Sequence, residues 1–244
     1  MNDQVIRLTG AANPSAHATA DAKLVSVQVG RPHTVGWHGK PVSTSIYKEP
    51  VAGRIMLYRF NLDGDQQADL TVHGGADKAV YVYPSEHYPV WQAEVPDLLL
   101  PYGMFGENFT TEGLDESSVH IGDQFRIGGA VVEVTQPRMP CYKLGIRFGR
   151  SDILRRFLAS GRTGFYFAVA QEGTVAAGDE IELLERNNDA LKISDITRLY
   201  VEEKHNVDLL RRAVSLDALP QSWRDYFQRE LEKLGEDKAK THSR

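Results

Sequence analysis

A chain of 244 residues with 28 Lys and Arg against 33 Asp and Glu carries a formal net charge of −5. That balance gives no general drive toward nucleic acid or an anionic membrane, so any anionic ligand must be held by a local cluster of cations. With 41% hydrophobic and 25% charged residues, one cysteine and no long apolar run near its start, the chain reads as a cytoplasmic globular protein without a disulfide or a membrane span.

Residues 1–22 are mostly small and polar with no apolar period, and are expected to form a mobile leader. From Lys23 onward short β-like runs follow one another: Leu24 to Val29, Gly53 to Phe60, Ala79 to Tyr83, Gln124 to Ile127, Ala130 to Thr135, Phe165 to Ala170 and Glu180 to Leu184. Turn chemistry separates them at Gly122-Asp123, Gly128-Gly129, Glu172-Gly173 and Gly178-Asp179, and many short strands with glycine turns predict a barrel or sandwich.

Two helices are predicted to interrupt the β region. One spans Pro84 to Glu94, with Pro84 in its first turn and Pro89 placed to disturb its middle. The other spans Ser151 to Ser160, capped by Ser151 or Asp152 and ended by Gly161, with Ile153, Leu154, Phe157 and Leu158 on one face. After the polar hinge Arg186-Asn187-Asn188-Asp189, apolar residues recur at helical spacing in three groups, behind the candidate caps Ser194, Asn206 and Ser222. From Ser194 to Leu234, seven Lys and Arg stand against eight Asp and Glu, a balance that disfavours a helix-turn-helix reader of DNA. The chain thus divides into a β domain at 23–185, a three-helix domain at 190–234 and a solvated tail at 235–244.

The segments that carry chemistry also fall in chain order. In His73-Gly74-Gly75-Ala76-Asp77-Lys78, paired glycines lead to a lysine, a geometry that can aim backbone N–H groups and Lys78 at an anion, or form a tight turn with an exposed lysine. In Gly106-Glu107-Asn108-Phe109, Asn108 offers a donor and an acceptor to a heterocycle edge, or satisfies a turn. Cys141 follows the Ala130 run and stands between Arg138 and Lys143. Neighbouring cations favour the thiolate, which is the nucleophile and the ligand for soft metals; a packed structural cysteine is the other reading. Arg162, after the Gly161 stop, is either a phosphate grip or a surface arginine. No G-x-S-x-G elbow, Walker loop, G-x-G-x-x-G or H-E-x-x-H is present, which leaves serine hydrolases, P-loop enzymes, nicotinamide enzymes and zincins without support.

Taken in order, Ser45-Ile46-Tyr47-Lys48-Glu49-Pro50-Val51, His73 to Tyr81, Gly106 to Phe109, Arg138 to Lys143 and Gly161 to Tyr166 resemble the MOSC domain family, in its stand-alone YiiM-like branch. The resemblance implies a mainly β fold: a MOSC-type β-barrel with a few interspersed helices and a small three-helix C-terminal domain. It implies binding of the molybdenum cofactor, a pterin with a dithiolene and a phosphate, with Cys141 as thiolate ligand to the metal. Lys48, Lys78, Arg138, Lys143 and Arg162 would hold phosphate or anionic atoms near the metal. His73 and Asn108 would contact the pterin edge, and His73 would alternatively relay protons as a catalytic residue beside Cys141. The implied activity is reduction of N-hydroxylated compounds such as hydroxylaminopurine, with electrons from a separate donor protein, since the chain has no flavin, iron-sulfur or nicotinamide signature of its own. A carrier of persulfide sulfur or of the cofactor, without redox catalysis, is the alternative.

Overall fold

The computed structural model describes residues 22–68, 74–186 and 189–241. Twelve strands occur among them: β1 (Lys23–Val29), β2 (His33–Trp37), β3 (Lys40–Thr44), β4 (Glu49–Pro50), β5 (Ile55–Leu57), β6 (Val80–Pro84), β7 (Phe109–Glu112), β8 (Gln124–Ile127), β9 (Ala130–Pro137), β10 (Phe165–Gln171), β11 (Gly173–Val175) and β12 (Ile181–Glu185). Six α-helices accompany them: α1 (His87–Glu94), α2 (Tyr142–Phe148), α3 (Ile153–Ser160), α4 (Ile193–Val201), α5 (Val207–Val214) and α6 (Gln221–Thr241), with a 3₁₀ turn at Ala76–Lys78.

Period-two patterning builds the main sheet. Val80 and Val82 on β6, Val132 and Val134 on β9, and Phe165 and Phe167 on β10 are all fully buried on one core, as alternation across a strand requires. The eight strands run in the order β12-β8-β9-β10-β6-β7-β1-β4; β6 and β7 are parallel and joined through α1, and the other neighbours are antiparallel. Near its ends the sheet curls back on itself. Leu24 N donates to Asp179 O (2.9 Å), Gly178 N to Leu24 O (2.7 Å) and Ile181 N to Ala22 O (2.8 Å), which ties β1 to the segment entering β12. The ladder there is an isolated bridge at Lys23 and Glu180, not a paired strand, so the curl is stitched at one end only.

The expected runs are strands with small shifts in their ends, except Gly53 to Phe60. That strand stops at Leu57, because Tyr58 N turns back to Asn61 O (2.9 Å) and Asp63 N to Met56 O (2.8 Å), leaving Tyr58 and Phe60 exposed. Gly128-Gly129 joins β8 to β9 as expected, with Ile127 opposite Ala130. The hairpin of β2 and β3 was not anticipated, nor was α2. Pro84 ends β6 and does not open α1, which begins at His87; Pro89 therefore lies in the first turn, where its missing N–H has no intrahelical partner to lose. Gly161 ends α3 in the left-handed conformation (φ 67°), as expected, but neither Ser151 nor Asp152 caps that helix by a side-chain hydrogen bond. Asn206 caps α5 through Leu209 N (3.2 Å), whereas Ser194 and Ser222 lie inside α4 and α6.

Helices α4 to α6 do not build a separate core. Ile193, Ile196, Leu199, Leu210, Ala213 and Phe227 are buried in the same apolar cluster as the sheet residues Val132, Val134 and Phe167. A second cluster, rich in aromatic rings, lies on the opposite face of β6 and contains Tyr81, Tyr83, Trp91, Phe105 and Phe157. No helix among the described residues is long and apolar enough to cross a membrane.

Candidate functional site

Beside the aromatic cluster opens a cleft of about 110 Å³ that collects residues from five separate stretches of sequence. Lys48 comes from the loop after β3, Lys78 from the 3₁₀ turn, Asn108 from the approach to β7, Arg138 from the end of β9, and Cys141 and Lys143 from the start of α2. Four of the cations expected from the sequence thus meet the cysteine in one place. Among the described residues lining the cleft there is no Asp or Glu.

Each cation is held differently. Lys48 is buried and ion-paired to Asp65, itself 2% exposed, whose Oδ1 also accepts from Gly30 N (2.7 Å). Burial pushes the Lys48 amine below its ordinary value, and Asp65 offsets that only in part. The Arg138 guanidinium, 5% exposed, lies over the Tyr81 ring (5.2 Å) and the Phe157 ring (4.9 Å). Burial by itself would lower Arg138; the Tyr81 and Tyr166 phenols and the Cys141 sulfur more than offset this and raise it. Its Nη1 is buried with no partner among the described residues, as is Ser45 Oγ, also of the cleft lining. Lys143 (8% exposed) and the half-buried Lys78 have no carboxylate partner among the described residues.

Cys141 sits at the N-cap of α2 in extended conformation (φ −114°, ψ 165°), half-buried and on the cleft surface, which excludes the reading of a cysteine packed wholly into the core. Asn108 lines the cleft, but its amide is largely committed: Oδ1 accepts from Tyr81 N (3.2 Å) and Nδ2 donates to Gln28 O (3.2 Å), joining β6 to β1. Its neighbour Glu107 is buried and accepts from Gly103 N (2.7 Å), Phe105 N (3.1 Å), Thr110 Oγ1 (3.2 Å) and the Tyr88 hydroxyl. Burial raises this carboxyl above its ordinary range, and the four donors limit the rise. The Gly106-Glu107-Asn108 segment is therefore chiefly a brace that presents the cleft wall.

Arg162 is not part of the cleft. Its guanidinium pairs with Glu94 of α1 and lies 4.7 Å over the Trp91 ring, because Gly161 turns the chain toward α1 before β10 begins. His73 lies outside the described residues, so neither expected role can be placed. Asp65, Ser45, Gln67, Tyr81 and Tyr166 complete the site or support it and were not singled out in the sequence. Ser45, Tyr81 and Tyr166 stand inside recognisable segments, the ones that hold Lys48, Lys78 and Arg162, whereas Asp65 and Gln67 do not.

The family model described as MOSC domain matches residues 69–182, and one described as YiiM-like, 3-alpha helix domain matches residues 193–234. The uncharacterized protein YflK of Bacillus subtilis is 43% identical over 211 residues, covering 86% of this chain and 95% of that protein. The crystal structure of YiiM from Geobacillus stearothermophilus is similar with a TM-score of 0.73 at 36% identity, over 86% of this chain and 99% of that one. A protein of Gibberella moniliformis named a reductase is 34% identical over 79% of this chain, a match confined to 35% of the fungal protein.

Proposed function

The chain belongs to the MOSC family, in its YiiM-like branch, and from that premise we propose that it binds the molybdenum cofactor in the cleft around Cys141 and serves as the terminal reductase of N-hydroxylated compounds. The observation that carries this reading is the cleft lining itself: a sulfur, four cations and no carboxylate among the described residues, with Arg138 Nη1 and Ser45 Oγ buried and unpartnered. A buried donor without a partner costs on the order of 1–3 kcal/mol, and an acceptor-rich anion would remove that penalty. The donor set thus fits a cofactor that combines a soft metal site with a phosphate.

In this reading Cys141 Sγ is the thiolate ligand to molybdenum. Arg138, fixed between two rings, is the rigid anion grip; Lys143 and Lys78 add charge with more freedom; Lys48, already neutralised by Asp65, chiefly shapes the wall. Bound there, the cofactor would supply the electron pair for reductive N–O cleavage, which takes up two protons from solvent and releases the oxygen as water, and the protein's part is to hold, orient and shield it. A reductase name on the distant fungal relative supports the class of chemistry. Electrons would come from a separate donor protein.

The test is purification of the full chain from a host that makes the cofactor. Molybdenum near one atom per chain, lost in Cys141→Ser, and reduction of hydroxylaminopurine by an artificial donor are the expected results. Loaded protein without turnover would refute the reductase assignment, and metal-free protein with one added sulfur at Cys141 would replace it with a sulfur carrier.

A further inference from the structure

We propose that the three C-terminal helices position Lys78, and so help to set the anion affinity of the cleft, through a hydrogen-bond relay from Trp223. Trp223 Nε1 donates to Gln136 Oε1 at 2.7 Å, and Gln136 Nε2 donates to the backbone carbonyl of Asp77 at 3.2 Å. Thr135 Oγ1 reaches the same carbonyl at 2.7 Å. Asp77 immediately precedes Lys78 in the 3₁₀ turn, whose Lys78 N closes on Gly75 O at 3.1 Å.

Two features make this more than incidental packing. Thr135 and Gln136 are consecutive, and consecutive strand residues ordinarily point to opposite faces. Here the register of β9 against β10 passes from Gln136 opposite Tyr166 to Val134 opposite Phe167, so Thr135 is an extra residue, a bulge that lets both side chains meet one carbonyl. Next, an indole N–H is a donor only, so it fixes which way the Gln136 amide faces: oxygen toward α6, nitrogen toward Asp77. Gln136 is 2% exposed, leaving its amide little access to water as a substitute partner. Trp223 is itself seated against Tyr200 of α4 (5.3 Å) and Phe227 of α6 (5.6 Å), which transmits the placement of the helices to the loop. The residues act through Lys78 and touch no ligand, so they are positioning residues.

The test compares Trp223→Phe, which keeps an aromatic ring against Tyr200 and Phe227 but removes the donor, with wild type, using hydrogen exchange on the full chain. Exchange across residues 75–78 is expected to quicken about three- to tenfold while α5 and the buried part of α6 keep their protection. Unchanged exchange at 75–78 with the helices intact would overturn the proposal, as would uniform acceleration everywhere. Should Trp223→Phe unfold α4 to α6, Gln136→Met, which removes the relay from the strand side, decides by the same readout. Affinity for inorganic phosphate should weaken alongside in both variants. A cleft that binds no phosphate in wild type would overturn the anion-site reading and the affinity clause that rests on it, and the exchange result would still judge the relay to Lys78.

Discussion

Asp65→Asn gives the sharpest test of how the cleft floor is built. The substitution keeps an oxygen for Gly30 N but removes the charge that faces Lys48, whose side chain is 7% exposed. Breaking a buried pair from one side costs about 3–5 kcal/mol, because the surviving charge has neither partner nor water. Lys48 can escape by releasing its proton, at about 1.36 kcal/mol for each pH unit below its ordinary value of 10.5. The escape route therefore caps the loss at about 5 kcal/mol at pH 7 and at about 2 kcal/mol at pH 9. The sign follows from proton binding: with the folded-state value lowered, the unfolded chain holds more protons between that value and 10.5, so stability rises with pH through the window. Urea unfolding at both pH values, each referred to wild type at the same pH, should show the variant recovering about one third to three fifths of its deficit at pH 9. Adding Lys48→Met should restore most of the stability at pH 7, since an apolar group of similar length no longer needs the carboxylate. Equal losses at pH 7 and pH 9, or no rescue by the second change, would refute the view that Lys48 is a buried cation neutralised by Asp65.

Glu107→Gln should destabilise the protein by about 1–3 kcal/mol in urea titration despite removing a buried charge, because both carboxylate oxygens face donors and an amide nitrogen would confront an N–H. Its raised carboxyl also makes wild-type stability fall as pH rises from 4.5 through its folded-state value, a slope that Glu107→Gln should flatten; an unchanged slope would show the charge lies elsewhere. Arg138→Lys keeps the charge but loses the planar stacking on Tyr81 and Phe157, and should lower molybdenum retained after dialysis by about tenfold; full retention would mean that charge alone suffices. Gly103→Ala should cost about 1–3 kcal/mol of thermal stability, since φ is 89° and an added Cβ would stand 2.8 Å from the Lys48 carbonyl; a neutral result would show that this loop yields freely.

What sequence reading captured is what local physics encodes. Period-two runs around Val132, Val134, Phe165 and Phe167 mark strands because burial acts on alternate residues, and Gly128-Gly129 marks its hairpin because two residues suffice to reverse the chain. Helix α2 escaped because it has only seven residues, no side-chain cap on Cys141 and four consecutive buried positions from Lys143 to Ile146, so no helical stripe shows. Partnerships across the chain were invisible for a different reason. Nothing local relates Lys48 to Asp65, Arg162 to Glu94 or Trp223 to Gln136, pairs separated by 17, 68 and 87 residues that meet only once the sheet has formed. The lone cysteine between two cations was legible because its neighbours in sequence, Arg138 and Lys143, are also its neighbours in the cleft.

That contrast also ranks the cations. Attraction for an anion depends on charge that the protein has not already neutralised, and here five candidates divide sharply. Lys48 is committed to Asp65, with Glu107 adding to the negative potential around it, and Arg162 is committed to Glu94 outside the cleft. Arg138, Lys143 and Lys78 remain without a carboxylate among the described residues, and of these only Arg138 is both buried and held rigid by rings. A rigid, desolvated guanidinium loses least entropy on binding and gains most from each charge-assisted hydrogen bond. Arg138 should accordingly dominate affinity while Lys143 and Lys78 tune it, so that Lys78→Ala weakens phosphate binding less than Arg138→Lys does, although the first removes a charge and the second does not.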